Sequence, residues 1–336
     1  MQLTHYATND RIEVQFRPLQ KADIPAVISC IRDAYGDTYV KSYLYNEETL
    51  WAHHTTGALS FSVVETSDGC LAGIIANEVS PMFPGQCEIA CQIILRRFTG
   101  YNLALPLARY TMVQAEQKDF QSQFARALGC HIISQKTLTD MGFTHCGFLL
   151  SVFDRTKLTL RYDTEGNPKI PQTVAVKRQN AQGGRSLFLP ESCRPLAEKL
   201  YGELGLPQSF TPPIGEVPAE SLWCWEHDPQ HSTLLLRARQ PGATFAAELA
   251  QALEAMRGRP LQTVNLLLNL CSPGSAHAYT AARELGFFFT GFFPCGEDGE
   301  YLILHHPLDV PVDMAHIPYL PVYEPYVNEI RRQSHE

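Results

Sequence analysis

Residues 87–117 read CEIACQIILRRFTGYNLALPLARYTMVQAEQ, and the rest of the chain is expected to be built around this stretch. A mostly apolar run from Ile89 to Leu95 precedes a turn that contains two arginines and Gly100. Apolar runs of this length that end at a glycine-containing turn predict a buried strand. Leu103 and Leu107 follow at helical spacing, so a helix is expected directly after the turn.

The turn after the predicted strand is suited to binding an anion. A helix start presents unpaired backbone N–H groups and the positive end of the helix dipole. Arg96 and Arg97 add positive charge beside that start. Together these features predict a phosphate site. The alternative is an ordinary strand-to-helix turn with solvated arginines.

The turn Arg97–Asn102 (RFTGYN) resembles the pyrophosphate loop of the GNAT acetyltransferase superfamily, usually written Q/R-x-x-G-x-G/A. Arg97 and Gly100 match, and Asn102 replaces the last small residue. Residues 16–36 (FRPLQKADIPAVISCIRDAYG) are similar to the strand and helix that open many GNAT domains. The resemblance implies an α/β (α+β) fold, a mixed, mostly antiparallel sheet flanked by helices. It also implies that acetyl-CoA or another acyl-CoA binds at Ile93, Ile94, Leu95, Arg96, Arg97, Phe98, Thr99, Gly100, Tyr101, Asn102 and Ser134.

A second GNAT motif, N-x-x-A/S-x-x-x-Y-x-x-x-G-F, covers the last helix of such domains. Ser134 and Gly142-Phe143 match it, whereas His131 stands at the Asn position and Leu138 at the Tyr position. The tyrosine that would protonate the departing thiolate therefore cannot be carried over. The resemblance implies Glu88 as the base that takes the amine proton, with His131 as a second candidate. A solvated carboxylate and a helix-capping histidine are the structural alternatives.

An internal repeat divides the chain into two halves. Residues 141–148 (MGFTHCGF) align with residues 285–292 (LGFFFTGF) at a shift of 144 positions. The same shift carries the buried strand and the helix start onto Leu234–Leu236 and Thr244–Met256. We therefore predict two copies of one domain.

The predicted organisation is two tandem GNAT-like domains, with the acyl-CoA site in residues 1–180. Residues 181–336 form a degenerate second domain that ends in a Pro- and Tyr-rich tail, expected to dock as an arm before a short terminal helix. The second loop contains Pro241, which lacks the backbone N–H that a phosphate cradle would need. One working cofactor site is expected.

The composition limits the remaining classes of function. The 336 residues suffice for two domains, and a net charge of -8 argues against a broad nucleic-acid footprint. No secretory signal and no apolar run long enough to span a bilayer are seen, so a cytoplasmic location is expected. Ten cysteines follow no regular framework. They are expected to be small buried hydrophobes, without a metal site.

The resemblance implies an acetyl-CoA-dependent N-acetyltransferase that acts on a primary amine of a small molecule or peptide. The alternative is a catalytically silent acyl-CoA sensor or partner-binding protein, which Leu138 favours. A third possibility, an aminoacyl transferase that uses charged tRNA, is opposed by the acidic balance.

Overall fold

The computed structural model describes residues 1–160, 166–180, 184–206, 208–258, 262–296 and 299–334. Within these residues, one continuous sheet of 13 strands carries eight α-helices. The strands are β1 (Gln2–Thr4), β2 (Arg11–Pro18), β3 (Leu59–Thr66), β4 (Leu71–Glu78), β5 (Gln86–Ile94), β6 (Ser122–Leu128), β7 (Thr144–Asp154), β8 (Lys169–Arg178), β9 (Leu222–Asp228), β10 (Thr233–Gln240), β11 (Thr263–Asn269), β12 (Phe288–Gly296) and β13 (Gly299–His306). The helices are α1 (Ile24–Tyr35), α2 (Glu47–Thr56), α3 (Ala104–Glu116), α4 (Ile133–Asp140), α5 (Arg194–Glu203), α6 (Phe245–Met256), α7 (Ser275–Glu284) and α8 (Glu324–Ser334).

The first half has the strand order β1-β2-β3-β4-β5-β6-β8-β7. Its neighbouring strands are antiparallel except for β5 and β6, which are parallel. Residues 87–117 form most of β5, a 3-10 turn and α3, so the predicted strand, turn and helix are confirmed. The predicted fold class, an α/β protein with a mostly antiparallel sheet, is also confirmed.

Strands β5 and β6 pair over three residues and then separate. Their parallel pairing joins Gln86–Glu88 to Ser122–Phe124. Beyond it, β5 has a bulge near Cys91, where φ is +53° and the register with β4 shifts. A bulge bends its strand and increases the local twist. Strand β5 therefore turns away from β6, and a cleft opens between them.

The second half repeats the order of the first. Its strands lie as β9-β10-β11-β13-β12, which corresponds to β4-β5-β6-β8-β7. The two halves meet where Gly147 of β7 pairs with Gly291 of β12, two positions that the repeat makes equivalent. A Cβ built on Gly147 would lie 2.4 Å from the Gly291 Cα, so the backbones approach too closely for a side chain. The predicted domain boundary, between residues 180 and 181, adjoins residues outside the described ranges and stays a prediction.

The cleft of the first half has no counterpart between the equivalent strands of the second half. Strands β10 and β11 stay paired over six residue pairs, from Thr233–Thr263 to Ala238–Leu268. In the loop that follows β10, two backbone N–H groups already donate hydrogen bonds within the chain. The Gly242 N–H donates to the Ser221 hydroxyl at 3.1 Å, and the Ala243 N–H donates to the Pro218 carbonyl at 2.8 Å.

Polar side chains of the second half hold the irregular part of β7. This part lies between Leu149 and Phe153, where β7 loses its register with β8. Four β7 carbonyls in and beside it accept hydrogen bonds at 2.5–2.9 Å. The donor and acceptor pairs are Thr290 to Phe148, Asn265 to Leu150, Thr263 to Ser151, and Thr233 to Val152.

Lys169 of β8 is buried between the halves. Its ammonium donates to the hydroxyls of Thr233 and Thr263 at 2.6 and 2.8 Å, and to the His231 carbonyl at 2.8 Å. Burial lowers the pKa of Lys169 to about 7. The interface between the halves therefore contains a group that titrates near neutral pH.

The C-terminal tail, which was predicted to dock as an arm, returns to the first half. The Tyr323 hydroxyl lies 2.8 Å from His145 Nδ1, and the Tyr326 hydroxyl donates to the His145 carbonyl. The Leu320 N–H donates to the Gln135 side chain at 3.0 Å. Helix α8 then covers β12. The tail thus packs on both halves.

Candidate functional site

Two adjoining cavities occupy the cleft beside β5, with volumes of about 360 and about 270 Å³. The smaller one leads to the loop after β5, and the larger one extends to residues of β9, β10 and β11. Five residues line both cavities and therefore mark their junction: Tyr35, Gln92, Leu128, His131 and Ser134.

The loop after β5 presents backbone N–H groups at the smaller cavity. Within the described residues, the amides of Gly100, Tyr101, Asn102 and Leu103 make no hydrogen bond to the protein. Gly100 and Asn102 have φ values of +95° and +54°. Alternation between left-handed and other conformations points successive N–H groups toward one concavity, which can hold an anion.

Asn102 keeps the loop conformation although it departs from the GNAT motif. Asn is among the few non-glycine residues that adopt a positive φ readily, since its short polar side chain can bond locally. Helix α3 begins two residues later and directs its positive end toward the same place. The Gln92 side chain of β5 donates to the Ala104 carbonyl at 2.7 Å, which connects this strand to the start of α3.

Most of the residues predicted to bind the cofactor line the smaller cavity. They are Ile93, Ile94, Phe98, Thr99, Gly100, Asn102 and Ser134. Beyond Glu88, within the described residues, no strand pairs with the cleft-facing edge of β5. This edge therefore leaves main-chain groups directed at the cavity.

Four predicted residues do not line either cavity: Leu95, Arg96, Arg97 and Tyr101. The Arg97 guanidinium lies over the ring of Phe98, 4.9 Å from its centre, and is exposed. The Tyr101 side chain is buried, with its ring centre 5.0 Å from that of His5. Tyr101 therefore offers only its main chain to the loop.

Glu88 is held by Arg126 in the wall of the larger cavity. The Arg126 Nε and Nη2 atoms donate to the two carboxylate oxygens at 2.9 and 2.7 Å. Burial acts to raise the pKa of Glu88, but the charge of Arg126 and its hydrogen bonds outweigh burial and hold this pKa below its ordinary value. Lys41, which is paired with Glu78, also acts on Glu88. The carboxylate is therefore a weak proton acceptor.

His131 lies just before α4, at the junction of the two cavities. Burial lowers the pKa of His131. The ring is therefore neutral at physiological pH, and a neutral imidazole can act as a base. Leu138, at the Tyr position of the motif, lines the larger cavity and is buried.

Several polar residues of the cavities were not predicted from the sequence. Arg126 and Gln92 belong to β6 and β5, and a charged residue inside the apolar strand SQFARAL was a signal that could have identified Arg126. Lys41 and Glu226 carried no such signal. Glu226 belongs to the second half, and its carboxylate lies 3.9 Å from Arg126.

In the first half, a parallel strand pair thus separates beside a loop with open amides. No protein-family model matches the chain, and no curated protein is similar enough in sequence to count as a relative. Among solved structures, the spermidine N-acetyltransferase of Vibrio cholerae matches 49% of this chain and 94% of its own, at 16% identity and a TM-score of 0.40. The ribosomal-protein-alanine N-acetyltransferase of Brucella melitensis matches 49% and 99%, at 16% identity and a TM-score of 0.40.

A GNAT-superfamily phosphinothricin acetyltransferase from Sinorhizobium meliloti, solved with AcCoA, matches 49% of this chain and 88% of its own. Its identity is 14% and its TM-score 0.40. Each of these three structures is an acetyltransferase that matches about half of this chain. At such identities and scores, the matches give no residue of this chain a role.

No helix in the described ranges is both long and apolar enough to cross a membrane. Within the same residues, no group of three or more His, Cys, Asp or Glu side chains is placed to hold a metal ion.

Proposed function

We propose that this protein is an acyl-CoA-dependent N-acyltransferase whose site lies in the first half of the chain. The observation that carries the proposal is the cleft between β5 and β6, which ends at the open amides of residues 100–103. The equivalent strands of the second half stay paired, and two amides of its loop already have partners. One site per chain is therefore proposed.

The residues present fit an acyl-CoA. The amides of Gly100 and Asn102 and the start of α3 would hold the diphosphate, because fixed N–H groups and a helix dipole favour negative charge. The cleft-facing edge of β5 near Ile93 would pair with the pantetheine amides. When bound, an acyl-CoA supplies a thioester whose carbonyl carbon accepts the amine.

In this proposal His131 is the general base, because its ring lines the junction of the two cavities and burial keeps it neutral. As the amine nitrogen forms the new C–N bond and the C–S bond breaks, a proton leaves the nitrogen, and the neutral imidazole would take it. The imidazolium would then return this proton through solvent to the departing thiolate, which restores the neutral base. Glu88 was predicted to be the base. Because its pKa is low, the role proposed for it instead is to hold Arg126 at the cavity wall.

The second candidate, a silent acyl-CoA sensor, is favoured by two observations. Leu138 places an aliphatic side chain where the motif has a tyrosine, and the Glu88 carboxylate is engaged by Arg126. Both candidates predict acyl-CoA binding, and only the first predicts turnover.

Calorimetric titration with acetyl-CoA, followed by CoA release with a panel of primary amines, tests the proposal. Removing a general base lowers the rate by about 10²–10⁴-fold, so His131→Ala is expected to retain acetyl-CoA binding and lose turnover to that extent. His277→Ala, an exposed histidine on α7, is the matched control. The kcat/KM of the wild type is expected to fall on the acid side, with an apparent pKa below the ordinary histidine value of about 6.5.

Binding without turnover in the wild type would favour the sensor. Absence of acetyl-CoA binding would reject both candidates.

A further inference from the structure

Strand β9 is an edge strand that borders the larger cavity. Within the described residues it pairs only with β10, and most of it is exposed. At the corresponding edge of the first half, β4 is covered by β3, and the sheet continues to β2 and β1. The outer edge of β9 therefore presents main-chain donors and acceptors to which an extended chain can add.

One face of β9 supplies carboxylates to the larger cavity. Glu226 and Asp228 both line it. Glu226 is 45% exposed, and its carboxylate forms a long ion pair with Arg126, at 3.9 Å. Asp228 accepts a hydrogen bond from the His231 backbone. Both carboxylates thus keep acceptor capacity for a cation, because a carboxylate can accept about four hydrogen bonds.

The other face of β9 forms an apolar groove with β10 and α6. This groove has a volume of about 390 Å³ and is lined by Trp223, Trp225, Leu234 and Leu236, among others. Trp225 is 66% exposed although tryptophan is the largest apolar side chain. Successive residues of a strand point to opposite faces, so β9 separates an acidic wall from an aromatic groove.

We propose that the acceptor is a lysine side chain in an extended peptide segment, which adds to the open edge of β9. This rests on the proposed acyltransferase function and names its substrate class. A strand beside β9 shares its alternation, so every second side chain faces the larger cavity and its neighbours face the groove. A lysine there meets the carboxylates of Glu226 and Asp228, which match its charge. Apolar residues on either side of the lysine pack against Trp225.

Four acceptors test this assignment with the full-length protein and acetyl-CoA. The first is a blocked peptide whose only amine is the lysine of a central Leu-Lys-Leu. The second replaces both leucines by serine, and the third carries N-methyl groups on the backbone nitrogens of the lysine and both leucines, so that N–H groups on both edges of the added strand are removed. The fourth is n-butylamine, which has a primary amine on an alkyl chain like that of lysine.

The kcat/KM of the Leu-Lys-Leu peptide is expected to exceed that of each other acceptor by about tenfold or more, because each lacks buried apolar area or a strand hydrogen bond. Trp225→Ala is expected to lower the ratio of peptide to n-butylamine kcat/KM by about tenfold. Val113→Ala, an exposed apolar residue on α3, is expected to leave this ratio unchanged.

Equal kcat/KM values for the peptide, its N-methylated form and n-butylamine would overturn the assignment while leaving acyl transfer intact. If the protein binds no acetyl-CoA, the proposed function fails by itself. The peptide assignment is then decided by fluorescence anisotropy of the labelled peptides. Binding that N-methylation and Trp225→Ala both weaken supports the β9 site, and binding that neither changes rejects it.

Discussion

Replacing Arg126 by methionine would leave the Glu88 carboxylate in the cavity wall without its main cationic partner. In the wild type, the Glu88 and Arg126 side chains are 8% and 15% exposed, and two hydrogen bonds of 2.7 and 2.9 Å join them. Methionine retains an unbranched apolar chain. The change therefore removes charge and hydrogen bonds more than packing.

Breaking a buried ion pair by removing one partner costs about 3–5 kcal/mol. We expect the lower end, about 3 kcal/mol, because Lys41 also acts on Glu88 and offsets part of the loss. Glu88→Gln is destabilising too, since it leaves the Arg126 charge beside a neutral amide. The double variant contains neither charge, so its loss should be smaller than the sum of the single losses by about 2 kcal/mol.

Urea unfolding of the four proteins, at about pH 8 and about pH 5, measures these free energies. In the wild type the pKa of Glu88 is lowered, so the pair stabilises the fold above the unfolded-state pKa of about 4.3 and is lost as the pH falls through the folded-state value. In Arg126→Met, burial raises the pKa of Glu88, so protonation at lower pH relieves part of the penalty. The difference between wild type and variant should therefore be larger at the higher pH.

Single losses that add in the double variant to within about 0.5 kcal/mol would refute this reasoning, since additivity marks independent sites. A difference independent of pH would refute it as well.

Three further predictions follow from the packing and the loop. Gly147→Ala should lower the thermal midpoint well below that of Gly142→Ala. Both glycines have positive φ, but only the first would place a Cβ against backbone atoms, at 2.4 Å, and overpacking costs about 1–3 kcal/mol; equal midpoints would contradict this. The free energy of unfolding of the wild type should rise between about pH 7 and pH 10, because in that window the unfolded chain holds a proton that the buried Lys169 amine, with its pKa of about 7, releases. Lys169→Met should abolish this rise. A wild-type free energy of unfolding that stays flat there, measured by chemical denaturation, would contradict the prediction. Asn102→Val should weaken acetyl-CoA binding by about tenfold in calorimetry, because a β-branched residue at φ +54° costs about 1–2 kcal/mol. Asn102→Gly should bind acetyl-CoA as the wild type does. If the valine variant binds as tightly as the wild type, the loop conformation is contradicted.

Local patterns in the sequence were sufficient for much of the first half. The apolar run, the glycine-containing turn and the helical spacing of Leu103 and Leu107 predicted β5, the loop and α3 within a few residues. These elements follow from neighbours along the chain, because burial on one face and a positive φ at Gly100 are local requirements. The repeat similarly predicted that the strand order would recur.

The chemistry of the candidate site was less predictable. Glu88 was identified from its place at the head of β5, but its low pKa depends on Arg126, which lies 38 positions away. Whether a carboxylate accepts a proton depends on burial and nearby charges, which the sequence does not display. The main-chain edge that faces the cleft likewise depends on where β5 and β6 separate.

The elements around the loop, the likeness of the two halves and the missing backbone N–H at Pro241 follow from the amino-acid sequence alone. Three features depend on how the chain folds: β5 and β6 separate while β10 and β11 stay paired, Pro218 and Ser221 bind the N–H groups of the second loop, and β9 brings Glu226 to the cavity of the other half. The physical reason is that strand separation and shared cavities arise from packing between residues far apart in the chain. Propensity and periodicity report only on residues that are close in sequence.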